Sequence, residues 1–291
     1  MRHVILISGK DSLATALVQM TAHPELPYEL IHNETGWDLP ESLEWIDKVS
    51  EKLNRPILRL GDDLTELCDV ENCLPLPFRR FCTRLAKIKP LNDYLGKSPT
   101  TVYFGLRADE PDRVGYQPSA REVLVPAYPL REHGIGIKEV WQICQDAGLL
   151  PPQFHWQWME DRVRELLGED QSILNNLPEW ERNSLLAWRS RNNCDRCFYA
   201  RQYERAGLFY HYPDLYEDAC RLEERYCHRD EFTWVKGFRL RDLIPRFPEI
   251  REKRARAIVK YLYSRCQKSL FDEFETPDDL AATSCGLLCG K

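Results

Sequence analysis

The apolar and polar positions of this chain follow two periods. Short apolar runs recur through the first half: Val4-Ile5-Leu6-Ile7, Tyr28-Glu29-Leu30-Ile31-His32, Ile57-Leu58-Arg59-Leu60, Thr101-Val102-Tyr103-Phe104-Gly105 and Val123-Leu124-Val125-Pro126. Their length and β-branched content predict strands. Between them the period lengthens to that of a helix. Leu43, Ile46, Val49 and Leu53 share one face of a helix over 40–54, and Ile137, Val140, Trp141 and Cys144 mark another. A further helix over 83–95 contains Pro90, which predicts a kink or boundary there.

Strands alternating with helices predict an α/β fold: a Rossmann-like parallel sheet with helices on both faces. Pro151-Pro152 marks a boundary. Beyond it strand signals fade and aromatic-rich helical stretches dominate. The expected organisation is an α/β domain over 1–150 and a mainly helical domain over 151–291. No uncharged apolar run approaches the roughly 18 residues that cross a membrane. A strand begins at once, leaving no room for a signal peptide. The 11 cysteines are odd in number and irregularly spaced, which argues against a disulfide framework. These features together predict a cytoplasmic protein with thiols free or metal-bound.

The first strand runs into Ser8-Gly9-Lys10-Asp11-Ser12 and then directly into a helical stretch. The amides at such a helix start lack intrahelical acceptors, and the helix dipole favours an anion there. Gly9 permits close backbone approach, Lys10 adds a charge and Ser12 a hydroxyl. The same pattern also serves as an ordinary capped helix start. The spacing is not that of a Walker loop, because the four-residue spacer and second glycine are missing.

Gly9-Lys10-Asp11-Ser12 resembles the pyrophosphate loop of the adenine-nucleotide α-hydrolase superfamily, with Ile7 and Ser8 where that pattern has Ser and Gly. Four later segments resemble the phosphoadenosine phosphosulfate (PAPS) reductase family of that superfamily, in the family's order. They are Asn33-Glu34-Thr35-Gly36 through Pro40-Glu41-Ser42, Arg80-Phe81-Cys82 through Lys87-Ile88-Lys89-Pro90, Gly105-Leu106-Arg107 through Glu110, and Pro129-Leu130 with Val140-Trp141. Cys194-Asp195-Arg196-Cys197 resembles its later cysteine segment. The resemblance implies an adenine-nucleotide site built from Ser8, Gly9, Lys10, Asp11, Ser12, Thr35, Gly36, Arg84, Lys87 and Arg107. Arg84 and Lys87, three apart, would share a helix face and reach one polyphosphate. Arg107 would grip phosphate oxygens bidentately or pair with Asp109 or Glu110.

An intact Gly-Lys-Asp-Ser loop in this superfamily implies cleavage of ATP–Mg²⁺ between its α- and β-phosphates, with Lys10, Asp11 and Arg107 as catalytic candidates. The expected activity is adenylation of a substrate for sulfur transfer. Ser284-Cys285-Gly286-Leu287 pulls the other way, since it partly resembles the catalytic tail of sulfonucleotide reductases. A third possibility is a nucleotide-binding accessory subunit of a defence or nucleic-acid-modification complex. Cys194 and Cys197 with Cys285 and Cys289 supply four thiolates, enough for a [4Fe–4S] cluster or for Zn²⁺; unligated thiols are the alternative. The net charge is −6, yet residues 236–268 hold eleven Lys and Arg against Asp242, Glu249 and Glu252. Lys253, Arg256 and Lys260 fall on one face of a helix over 250–266. That face is either simply solvated or a contact to tRNA or DNA backbone. A sulfur donor or a complex partner is also expected.

Overall fold

A computed structural model describes residues 1–115, 124–152, 158–192, 194–227 and 233–267. They fall into two compact units. The first comprises residues 1–152 together with Asn192 and Cys194; the second holds the rest of the described chain.

In the first unit the strands are β1 (Arg2–Leu6), β2 (Tyr28–Asn33), β3 (Ile57–Leu60), β4 (Thr100–Tyr103) and β5 (Leu124–Ala127). The helices are α1 (Lys10–Ala22), α2 (Pro40–Leu53), α3 (Leu64–Glu71), α4 (Phe81–Thr83), α5 (Lys89–Leu95), α6 (Pro129–Glu132) and α7 (Ile137–Asp146). The strands form one parallel sheet in the order β3-β2-β1-β4-β5. The chain builds outward from β1 through β2 and β3, then returns to place β4 on the other side of β1. The loops that leave β1 and β4 diverge at this reversal, which is where parallel sheets open a crevice for ligands.

Strand alternation assigns the two faces. Ile5, Ile7, Leu30 and Tyr103 pack with Leu13, Ala14 and Ala16 of α1, Trp45, Ile46 and Val49 of α2, and Val140 and Cys144 of α7. Val4, Leu6, Ile31 and Val102 point the other way and pack with Leu91 and Leu95 of α5. Strands covered on both sides need apolar residues on both faces, as Val4, Ile5 and Leu6 of β1 show. The predicted α/β fold, with helices on both faces, is therefore the observed one.

Pro90 does not break its helix. Residues 81–95 are continuous, and the turn Arg84–Ile88 is π-helical, with the Lys89 amide donating to the Arg84 carbonyl. Proline lacks the N–H that would bond the carbonyl four residues back, and its ring crowds that carbonyl. A wider turn just before Pro90 accommodates both defects.

The second unit is helical: α8 (Glu160–Leu167), α9 (Ser172–Asn175), α10 (Glu179–Leu186), α11 (Gln202–His211), α12 (Pro213–Tyr226), α13 (Leu240–Leu243) and α14 (Phe247–Gln267). Its core joins Val163 and Leu167, Leu174, Leu185 and Leu186 to Ala255, Ile258 and Leu262 of α14. No helix of the described residues is long and apolar enough to cross a membrane.

Candidate functional site

One hydroxyl makes three hydrogen bonds within the loop after β1. Ser12 Oγ accepts from the Ser8 amide (2.8 Å) and the Gly9 amide (3.0 Å), and donates to the Gly9 carbonyl (2.9 Å). Ser12 therefore organises the loop. The amides of Lys10, Asp11 and Ser12 are the first-turn donors that helix geometry leaves without intrahelical acceptors. Gly9 is extended, with φ −175°, and a β-carbon there would meet only the Asn192 β-carbon, at 3.6 Å. Backbone strain does not dictate this glycine.

The charges behind the loop form a chain. Lys10, 9 % exposed, places Nζ 2.9 Å from Asp11 Oδ1. Arg107, after β4, is 3 % exposed and meets a carboxylate through each nitrogen: Nη1 to Asp11 (3.3 Å), Nε to Asp109 (2.8 Å) and Nη2 to Glu110 (3.6 Å). Arg107 thus ties the loop after β4 to the first turn of α1. Burial raises the Asp11 pKa, but the charges of Lys10 and Arg107 and their hydrogen bonds outweigh it, and the carboxyl ends below its ordinary value. Arg131 braces the same loop, donating to the carbonyls of Arg107 (3.3 Å) and Arg113 (2.7 Å). Beneath α1, the buried Cys144 thiol donates to the Lys10 carbonyl (3.4 Å), and burial pushes its pKa up to about 12. It is an inert packing residue.

Thr35 and Gly36 follow β2. The Thr35 amide and hydroxyl both donate to Asp38 Oδ2, at 2.7 and 2.9 Å. Gly36 has φ +73°, and a β-carbon there would fall 2.1 Å from Oδ2 of Asp63, whose other carboxylate oxygen, Oδ1, caps α3. Here a glycine is required on both counts.

Arg84 and Lys87 have different neighbours. Arg84 is exposed and lies 4.0 Å from Glu71 of α3. Lys87 is half-buried, within electrostatic reach of His32 on β2.

Sequence reasoning missed three residues. His32 and Asn33, both 5 % exposed, end β2. His32 Nδ1 lies 2.8 Å from the Ile7 carbonyl, which can only accept, so Nδ1 carries the proton. That leaves Nε2 a buried acceptor without a partner among the described residues, as are both side-chain polar atoms of Asn33. Burial lowers the His32 pKa and keeps the ring neutral. The third residue is Asn192, which donates to the Ser8 carbonyl (3.0 Å) from 184 positions away.

Of the four cysteines expected to bind metal, Cys285 and Cys289 lie outside the described residues. Cys194 is buried with Sγ 3.4 Å from Thr35 Oγ1. Cys197, half-buried, belongs to the second unit, where its carbonyl accepts from Arg205 (3.2 Å). Among the described residues no three His, Cys, Asp or Glu side chains come together as a metal site.

The basic run 236–268 is mostly occupied within its own unit. Arg241 pairs with Glu217 and Glu224, Arg265 with Glu181, and Arg256 with Glu252. Arg251 and Arg254 donate to the carbonyls of Trp158 and Leu185. Lys236, Lys253, Arg256 and Lys260 are exposed.

Comparison with known proteins bears on the first unit. Residues 2–122 match the family model of the phosphoadenosine phosphosulfate reductase domain. This stretch is similar to a PAPS reductase domain. It contains the loops after β1, β2 and β4 and the helix over 81–95, so every nucleotide-site residue read from the sequence lies inside it. Asn192 and Cys194 lie outside it. Among curated proteins nothing matches the chain. A crystal structure of phosphoadenylyl-sulfate (PAPS) reductase from Candida auris, in a phosphate complex, is similar at 13 % identity and a TM-score of 0.40. The similarity covers 51 % of this chain and 74 % of that one.

Proposed function

We propose that this PAPS reductase-family protein binds ATP–Mg²⁺ and cleaves it between the α- and β-phosphates to adenylate an acceptor for sulfur transfer. The observation that carries the reading is the Lys10–Asp11–Arg107 chain of charges against the open first-turn amides of α1. An acceptor oxygen attacks the α-phosphorus, and the bond from that phosphorus to the bridging oxygen breaks. Pyrophosphate departs with that oxygen toward the loop, where Lys10 and the amides stabilise its charge. Arg107 holds Asp11 in place beside Lys10. The buried, unpartnered atoms of His32 and Asn33 supply hydrogen-bonding capacity at the end of β2, as a nucleotide contact needs.

Pyrophosphate release from ATP–Mg²⁺ with candidate acceptors tests the reading. Lys10→Ala should lower it by about 10²–10³-fold while the fold survives; unchanged release would overturn the assignment. The family name favours a second reading, reduction of a sulfonucleotide, and sulfite release from phosphosulfates would establish it instead. The four-thiolate centre at Cys194, Cys197, Cys285 and Cys289 rests on CxxC and CxxxC spacing, and no step is routed through it. Iron or zinc in anaerobically purified protein would establish the centre, and metal-free protein would remove it. Contact with tRNA or DNA rests on Lys253, Arg256 and Lys260; charge reversal there should abolish salt-sensitive binding.

A further inference from the structure

We infer that Asn192 is a positioning residue for the phosphate loop, setting its affinity for anions from outside the family domain. The inference rests on the reading of the Ser8–Ser12 loop as a phosphate site.

The peptide between Ser8 and Gly9 is held from both sides. Its N–H donates to Ser12 Oγ (3.0 Å), and its carbonyl accepts from Asn192 Nδ2 (3.0 Å). The Asn192 amide is itself oriented, because its Oδ1 accepts from Ser42 Oγ in the first turn of α2. The Ser8 carbonyl can only accept, so this is the amide orientation that satisfies both neighbours. The Asn192 β-carbon also lies over Gly9, 3.6 Å from where a β-carbon there would stand. Two residues on, Cys194 contacts Thr35 in the loop after β2. One short segment therefore touches the loops after both β1 and β2.

The consequence is electrostatic. A carbonyl oxygen turned toward a bound phosphate repels it, whereas amide hydrogens attract it. A peptide beside glycine rotates easily. Ser12 fixes the amide side of this peptide and Asn192 the carbonyl side, so the loop presents donors before the anion arrives. Such preorganisation appears as affinity.

The test is calorimetric titration of the full chain with inorganic pyrophosphate, and separately with ATP–Mg²⁺. Wild type, Asn192→Ala, Ser42→Ala and the double variant are compared, with Lys10→Ala as control. Losing one oriented hydrogen bond should weaken pyrophosphate binding about five- to tenfold in Asn192→Ala. Ser42→Ala should lose less, and the double variant no more than Asn192→Ala alone, because both act through one amide. A merely structural Asn192 would lower the melting temperature without moving affinity, or give additive losses; either result overturns the proposal. Should Asn192→Ala fail to fold, wild-type affinity in Ser42→Ala overturns it equally. If Lys10→Ala loses binding while Asn192→Ala keeps it, only this proposal falls. If wild type binds neither probe, the phosphate-loop reading falls and this one with it.

Discussion

A β-carbon on Gly105 would stand 2.7 Å from the Asp11 carbonyl carbon and 2.8 Å from the Ser12 nitrogen, both backbone atoms in the first turn of α1. Neither can move without disturbing the loop. Gly105→Ala should therefore destabilise the first unit by about 1–3 kcal/mol and weaken ATP binding. Gly9→Ala, in the loop after β1, should be nearly neutral in stability, since its β-carbon meets only ordinary contact distance. Urea titration of both variants checks the contrast, and equal losses would contradict it. Nothing in the local sequence marks Gly105, which reads only as the end of a strand, as the tighter of the two positions. At His32 the same scale yields a pH dependence. Its folded pKa lies below the ordinary 6.5 because of burial. Below that pH the unfolded chain takes up a proton that the folded ring refuses, so stability is full above about 6.5 and falls as pH drops. Replacing His32 by Gln should flatten that part of the stability profile. A wild-type slope unchanged in the variant would show that another group causes it.

Among the elements, α14 shows that a charge count does not separate paired cations from exposed ones. Eleven cations in the 33 positions 236–268 read as either a solvated face or a contact to nucleic acid, and the helix directs its arginines to partners in its own unit. Arg265 pairs with Glu181, which is 2 % exposed and also accepts from Tyr261. Removing Arg265 leaves a buried carboxylate short of charge. Arg265→Ala should cost about 2–3 kcal/mol, discounted for the partial exposure of the arginine. Lys260→Ala, on the exposed face, should stay within about 0.5 kcal/mol. Denaturant unfolding of the two variants separates structural from free cations, and a larger cost at Lys260 would refute the division. Periodicity served better where packing alone decides. Ile137, Val140, Trp141 and Cys144 are all buried in α7, as their spacing predicts. It does not show the π turn at 84–88, which leaves no trace in a period and lies just before Pro90, read as a kink or boundary.

At the scale of the molecule, what the sequence hides is long range. The parallel sheet was legible because its strands are short apolar-rich runs alternating with helical periods, even where β3 at the edge is only partly buried. The loops after β1, β2 and β4 were legible because each carries its motif within ten residues. Asn192 was not, because its partner Ser8 is 184 positions away and no local pattern marks an asparagine that will donate to a distant carbonyl. The same fact makes the whole chain testable by hydrogen exchange. A nucleotide on the phosphate loop stabilises the unit that binds it by mass action. ATP–Mg²⁺ should therefore raise protection in peptides covering residues 8–13, 33–38 and 105–110. It should also do so in one peptide far outside the family domain, the one that carries Asn192 and Cys194. Peptides of α8 and α14 should change little, because their core is built within the second unit. Protection confined to residues 2–122, with the Asn192 peptide following α8 and α14, would show that the segment does not respond to the nucleotide. Uniform protection across the chain would instead mean that the two units open together.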